Sequence, residues 1–127
     1  MSWCFEDEAN EYADAVLEKL TSARALVPTI WALEVVNVLL VAERKKRIKQ
    51  AESTRFLNLL LQLPIDIEQF NFQVAMPGLL SLGRNLSLSS YDLAYLKLAL
   101  DNGCPLATLD QKLIEAAQVT GVSLLKP

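Results

Sequence analysis

Leu26-Val-Pro28-Thr-Ile-Trp-Ala-Leu-Glu34-Val-Val-Asn37-Val-Leu-Leu-Val-Ala42 is the stretch on which the fold turns. Arg24 to Pro28 is a short apolar run stopped by proline, which predicts a brief buried strand. Thr29 is placed to cap a following helix that runs to about Lys46. From Ile30 to Ala42 that helix is apolar all round, so it is expected to be buried on most sides. Glu34 and Asn37 are its only strongly polar members. They stand three apart, hence on one face. A buried carboxylate without a partner costs several kcal/mol or is driven to its neutral form. Unless it is simply exposed, Glu34 therefore needs a buried arginine, a proton or a metal ion.

The same alternation continues outward from this stretch. Upstream, Glu8 to Leu20 reads as an amphipathic helix carrying Tyr12, Val16, Leu17 and Leu20 on one side. Downstream, Gln50 to Leu63 is a leucine-rich helix ended by Pro64, and Ile65 to Glu68 is a short strand. Phe70 to Leu82 is expected to be helical, with Pro77-Gly78 as a break or kink. Ser89 to Asn102 is a strong helix closed by Gly103 and Pro105. Pro105 to Leu109 and Val122 to Leu125 are short strands around a helix from Asp110 to Thr120. Short apolar strands alternating with helices predict an α/β fold, a short parallel sheet flanked by helices in three layers. The 127 residues suit one domain spanning 1–127. In such sheets functional residues gather beyond the carboxyl ends of the strands.

Two further carboxylates stand in such places. Asp92 follows Ser89-Ser-Tyr at a helix start, and Ser89-x-x-Asp92 has capping-box spacing. Asp110 follows the strand at Leu109 and is also placed as the N-cap of the last helix. Capping alone accounts for either one. Jointly, three carboxylates at helix starts or in an apolar helix suit a hard divalent cation, magnesium or manganese, which takes oxygen ligands.

Composition narrows the chemistry. Hydrophobic residues make up 52% and charged residues 21%, which excludes a disordered chain. There is no histidine, so histidine triads, Cys-His pairs and most zinc or iron sites are ruled out. Cys4 and Cys104 form neither a disulfide framework nor a zinc pattern, and the reduced cytoplasm is the expected location. Gly78, Gly83, Gly103 and Gly121 make no phosphate-binding loop. The net charge of −3 argues against a general polyanion binder but not against a metal-dependent nuclease. The best apolar run, Ala25 to Ala42, is broken by Pro28, Glu34 and Asn37, so no membrane partner is expected. The acidic start lacks the basic region of a signal peptide.

These segments resemble PIN domains, in particular toxins of the VapC type. Val27 to Leu39, with Glu34 and Asn37, is similar to the family's second motif. Ser89-Ser-Tyr-Asp92-Leu-Ala-Tyr95 resembles the third, and Leu106-Ala-Thr108-Leu-Asp110 the fourth. The resemblance implies a metal-dependent ribonuclease held inactive by a cognate antitoxin. It makes Glu34, Asp92 and Asp110 the acidic catalytic and metal-holding residues, with Asn37 and Thr108 as supporting polar groups. The family's first motif, a strand ending in aspartate, has no counterpart here: Ser2-Trp-Cys-Phe resembles the segment just after it. The N-terminal strand and one metal ligand are therefore expected to be missing. Glu6 and Asp7 read as a solvated helix start. A second reading is a catalytically inactive PIN-like binding or dimerisation module.

Three further features bear on partners. Glu43-Arg-Lys-Lys-Arg-Ile-Lys49 is the one basic cluster, a solvated helix end or an RNA phosphate contact. Trp3 and Trp31 read as core or interface residues. The excess of leucine from Phe56 to Leu63 fits either simple burial or a homodimer or antitoxin interface.

Overall fold

The computed structural model describes residues 18–125. The predicted Glu8–Leu20 helix, apart from its last turn, and the readings on Trp3, Cys4, Glu6 and Asp7 lie outside them. Among the described residues there are two strands and five helices. They are β1 (Ala25–Pro28), α1 (Ile30–Arg44), α2 (Gln50–Gln62), β2 (Ile65–Glu68), α3 (Phe72–Asn85), α4 (Ser90–Asn102) and α5 (Gln111–Thr120). The chain is a helix-rich α/β protein with a short parallel pair of strands, β1 and β2. It divides into two compact units, Met1–Ile67 and Glu68–Pro127.

In the first unit, β1 and β2 are joined through α1 and α2, since parallel neighbours need a long crossover. The Ala25 amide donates to the Pro64 carbonyl at 2.9 Å just ahead of β2. Val35, Leu39 and Leu60 form the core, with Trp31, Phe56 and Leu63 packed against it. Val35, Leu39 and Ala42 are the buried residues of α1, one stripe at helical spacing. The opposite stripe is exposed: Leu33 at 66%, Val36 at 45% and Leu40 at 41%. The expectation that this helix is buried on most sides is thus corrected. An apolar composition does not by itself bring a second layer onto the helix. Thr29 sits at the N-cap position with helical backbone (φ −56°, ψ −35°), and its side chain makes no cap hydrogen bond. That conformation carries the hydroxyl away from the first-turn amides, so the expected cap is not made.

Across the strand pair, the Arg24 guanidinium donates to both carboxylate oxygens of Asp66, each at 2.8 Å. This hydrogen bonding holds the Asp66 carboxyl below its ordinary range, with a smaller push from the charge of Arg24. A carboxylate whose folded pKa is depressed stabilises the fold above its unfolded pKa. That contribution is lost as pH falls through the folded value. Both groups are solvent-exposed, so the effect on stability is small. The measurement is the titration of Asp66 itself. In Arg24→Ala, side-chain NMR should show the Asp66 carboxyl titrating at higher pH. An unmoved titration would mean that the pair does not form in solution.

α1 ends in a Schellman closure. The Arg47 amide donates to the Ala42 carbonyl at 2.9 Å, and the Lys46 amide to the Glu43 carbonyl at 3.0 Å. The residue between helix and exit is left-handed: Lys46 has φ +58°, the only positive φ at a non-glycine among the described residues. For an L residue this conformation costs about 1–2 kcal/mol.

The second unit has its own core of Leu96, Ala99, Leu106, Leu113, Ala116, Ala117 and Val122. α4 packs against both α3 and α5. A Cβ at Gly83 would lie 2.9 Å from Leu93 Cδ1, so glycine permits the close approach of α3 to α4. Pro77 lies inside α3, which continues through Pro77-Gly78, so of the expected break or kink the break is not made. It removes one donor to the Gln73 carbonyl four residues earlier, in an exposed first turn where solvent can satisfy it. α3 starts at Phe72 rather than Phe70, because the Asn71 side chain caps it by accepting from the Gln73 amide at 3.2 Å. The expected strands Pro105–Leu109 and Val122–Leu125 reduce to a single parallel bridge, Leu106 to Leu124. Leu106 donates to Ser123 at 2.8 Å and Leu125 to Leu106 at 2.9 Å. Pro105 has no amide to extend the ladder. Gly103 and Gly121, at φ +62° and +81°, close α4 and α5 in the left-handed conformation that glycine adopts without steric cost.

Candidate functional site

The candidate carboxylates are held by three local devices. Glu34 is the fifth residue of α1, one turn beyond the end of β1, and is half-buried. Asn37, its expected companion, is exposed. Both belong to the first unit.

Asp92 and Asp110 belong to the second unit, at the starts of α4 and α5. The Ser89 hydroxyl caps α4, accepting from the Asp92 amide at 3.2 Å. This is the serine half of the expected capping box. Asp92 itself is half-buried in the first turn. Asp110 is the N-cap of α5: its Oδ1 accepts from the Leu113 amide at 3.1 Å. The Thr108 hydroxyl in turn accepts from the Asp110 amide at 3.1 Å. Thr108 thus fixes the backbone that aims Asp110, a positioning contact. The cap occupies Oδ1, and Oδ2 takes no part in it.

The donors are all carboxylate oxygens, the set that magnesium and manganese take and zinc or copper do not favour. In that respect the residues fit a hard divalent ion. Among the described residues no group of three or more His, Cys, Asp or Glu side chains is gathered to hold a metal. Sequence reading passed over two polar features of the fold, the Arg24–Asp66 pair and the left-handed Lys46. Neither arginine 42 positions from its partner nor lysine at a helix end carries a local signature. Trp31 packs against the first core, in line with its reading as a core residue. No helix among the described residues is long and apolar enough to cross a membrane.

Among curated proteins, no relative matches the chain. The family model described as PIN domain, a family whose members are generally metal-dependent nucleases, matches residues 1–119. That match takes in all three acidic segments and nearly the whole chain, which therefore belongs to the PIN domain family.

Proposed function

We propose that the protein is a divalent-metal-dependent endoribonuclease of the VapC toxin type, acting in the cytoplasm and restrained by a cognate antitoxin. The observation that carries this reading is the second unit's pair of helix-start aspartates inside a family-wide match. Glu34, Asp92 and Asp110 would hold the ion. A bound magnesium or manganese supplies an activated water and offsets phosphoryl charge. The reaction is phosphodiester hydrolysis: a water oxygen bonds to phosphorus and the bond to the leaving ribose oxygen breaks. Thr108 keeps Asp110 in its cap, so that carboxylate is in place before substrate arrives. Asn37 offers a neutral amide on the same helix as Glu34.

A second reading, an inactive PIN-type dimerisation module, draws on the exposed apolar stripe of α1 and on Leu59 and Leu61 of α2, the latter 82% exposed. In the proposed toxin these surfaces face a second copy or the antitoxin. Incubation of the protein with RNA, with manganese or with a chelator, separates the two. Cleavage should require the metal, and Glu34→Gln or Asp92→Asn should each lower it more than about 100-fold. Full activity in either variant would remove that residue from the site. Self-association without cleavage at any metal concentration would favour the inactive module.

A further inference from the structure

We infer that the turn closing α1, Arg44 to Lys49, anchors the phosphodiester backbone of single-stranded RNA, with Lys46 as its central contact. The inference rests on the ribonuclease reading but adds a surface which that reading does not assign.

The first observation is charge. Arg44, Lys45, Lys46, Arg47 and Lys49 fall within six positions of a chain whose net charge is −3 and whose Lys and Arg together number 12. All five are exposed. Among the described residues, no carboxylate forms an ion pair with Arg44, Lys45, Lys46 or Lys49. The nearest acid in sequence beyond the turn, Glu52, has its Oε1 engaged by the Lys49 amide at 3.1 Å. Cations at a helix C-terminus are favoured by the helix dipole, but that effect fades beyond the last turn. It accounts for Arg44 and Lys45 and does not extend to Lys46, which lies past the helix end.

The second observation is the backbone of Lys46. α4 and α5 end on glycines with positive φ, whereas α1 ends on a lysine at φ +58°. Glycine would adopt this conformation without strain, and asparagine with little. Strained residues persist where the surrounding structure fixes them and concentrate at functional positions. A lysine kept there trades stability for a cation at the apex of the turn.

The third observation is spacing. From Glu34 to Lys45 α1 advances by about 17 Å at about 1.5 Å per residue. That is about five nucleotides of a stacked strand rising about 3.4 Å each. An RNA held at the turn therefore has length to reach the Glu34 end of the helix.

The test is the binding of a fluorescein-labelled oligouridylate, followed by anisotropy across a salt series with chelator present, so that no cleavage intervenes. Lys46→Gly should bind several-fold more weakly, and the slope of log K against log salt should fall by about 0.7, one phosphate contact on a single strand. The same variant should melt higher than the parent. A residue with only a structural role would not move stability and affinity in opposite directions. Lys46→Asn, which tolerates the left-handed backbone, should show the same loss of binding. Lys45→Glu combined with Lys46→Glu should weaken binding more than tenfold. Glu34→Gln should bind RNA like the parent while failing to cleave it. Loss of the nuclease reading alone would thus appear as a parent that binds through Lys46 in chelator and leaves the RNA uncut when manganese replaces the chelator. Unchanged affinity and salt slope in both Lys46→Gly and Lys46→Asn would overturn the inference. So would Lys46-dependent binding of polyglutamate in place of RNA.

Discussion

Asp110→Asn should melt within about 1 kcal/mol of the parent and lose metal-dependent RNA cleavage by more than about 100-fold. The two halves of that result come from different atoms. The cap on α5 needs only an oxygen that accepts from the Leu113 amide, and the asparagine carbonyl provides one. What asparagine lacks is the negative charge that a hard cation requires. Losing a charge at the exposed N-terminus of a helix costs a few tenths of a kcal/mol to about 1 kcal/mol. Asp110→Ala is the counterpart: it removes charge and cap together, adding about 1 kcal/mol of destabilisation to the same loss of cleavage. Circular dichroism melting and an RNA cleavage assay on the three proteins decide it. Cleavage retained in Asp110→Asn would show that Asp110 is a cap and nothing more.

The largest effect on stability is expected at Leu96, which is fully buried in the second core. Leu96→Ala should cost about 3–4 kcal/mol, a large share of the roughly 5–15 kcal/mol that holds a domain together. Its neighbours make this a demanding site. Half of the six other residues of that core, Ala99, Ala116 and Ala117, are too short to swing into the vacated volume, so the site collapses only in part. Leu100→Ala, on the exposed side of the same helix, controls for helix propensity and should change stability by less than about 1 kcal/mol. Urea unfolding followed by far-ultraviolet circular dichroism gives both values. Equal effects at the two positions would mean that α4 does not present Leu96 to the core.

The local elements were legible because their signals are local. Pro28 and Pro64 bound the segments around α1 and α2, Ser89 and Asp110 cap their helices, and Gly103 and Gly121 end theirs, as their side chains imply. β1 and β2 were readable from runs of four apolar or alternating residues. The misreadings involve choices that a single segment does not make. Whether Leu106 and Leu124 grow into strands depends on neighbours that pair with them, and they form one bridge. Whether Leu33, Val36 and Leu40 are covered depends on what packs on α1, not on their own hydrophobicity. Pro77 signals a break or kink because its missing amide is a local fact, while solvent access to the first turn of α3 is not. For the candidate site, residue type and order nominate Glu34, Asp92 and Asp110. Thr108 was singled out as a supporting group, and its contact with the Asp110 amide appears only in three dimensions.

The placement of aromatic residues has a practical consequence. Both tryptophans, Trp3 and Trp31, fall in the unit Met1–Ile67, and Trp31 packs against Val35, Leu39 and Leu60. Glu68–Pro127 contains none, only Tyr91, Tyr95 and phenylalanines. Light that excites indole selectively therefore interrogates one half of the chain alone. In Tyr12→Phe, the remaining tyrosines are Tyr91 and Tyr95, so tyrosine emission reports on the other half, where Tyr95 packs against the second core. Emission from the two chromophores, collected during one denaturation, yields two independent melting records from an unlabelled protein.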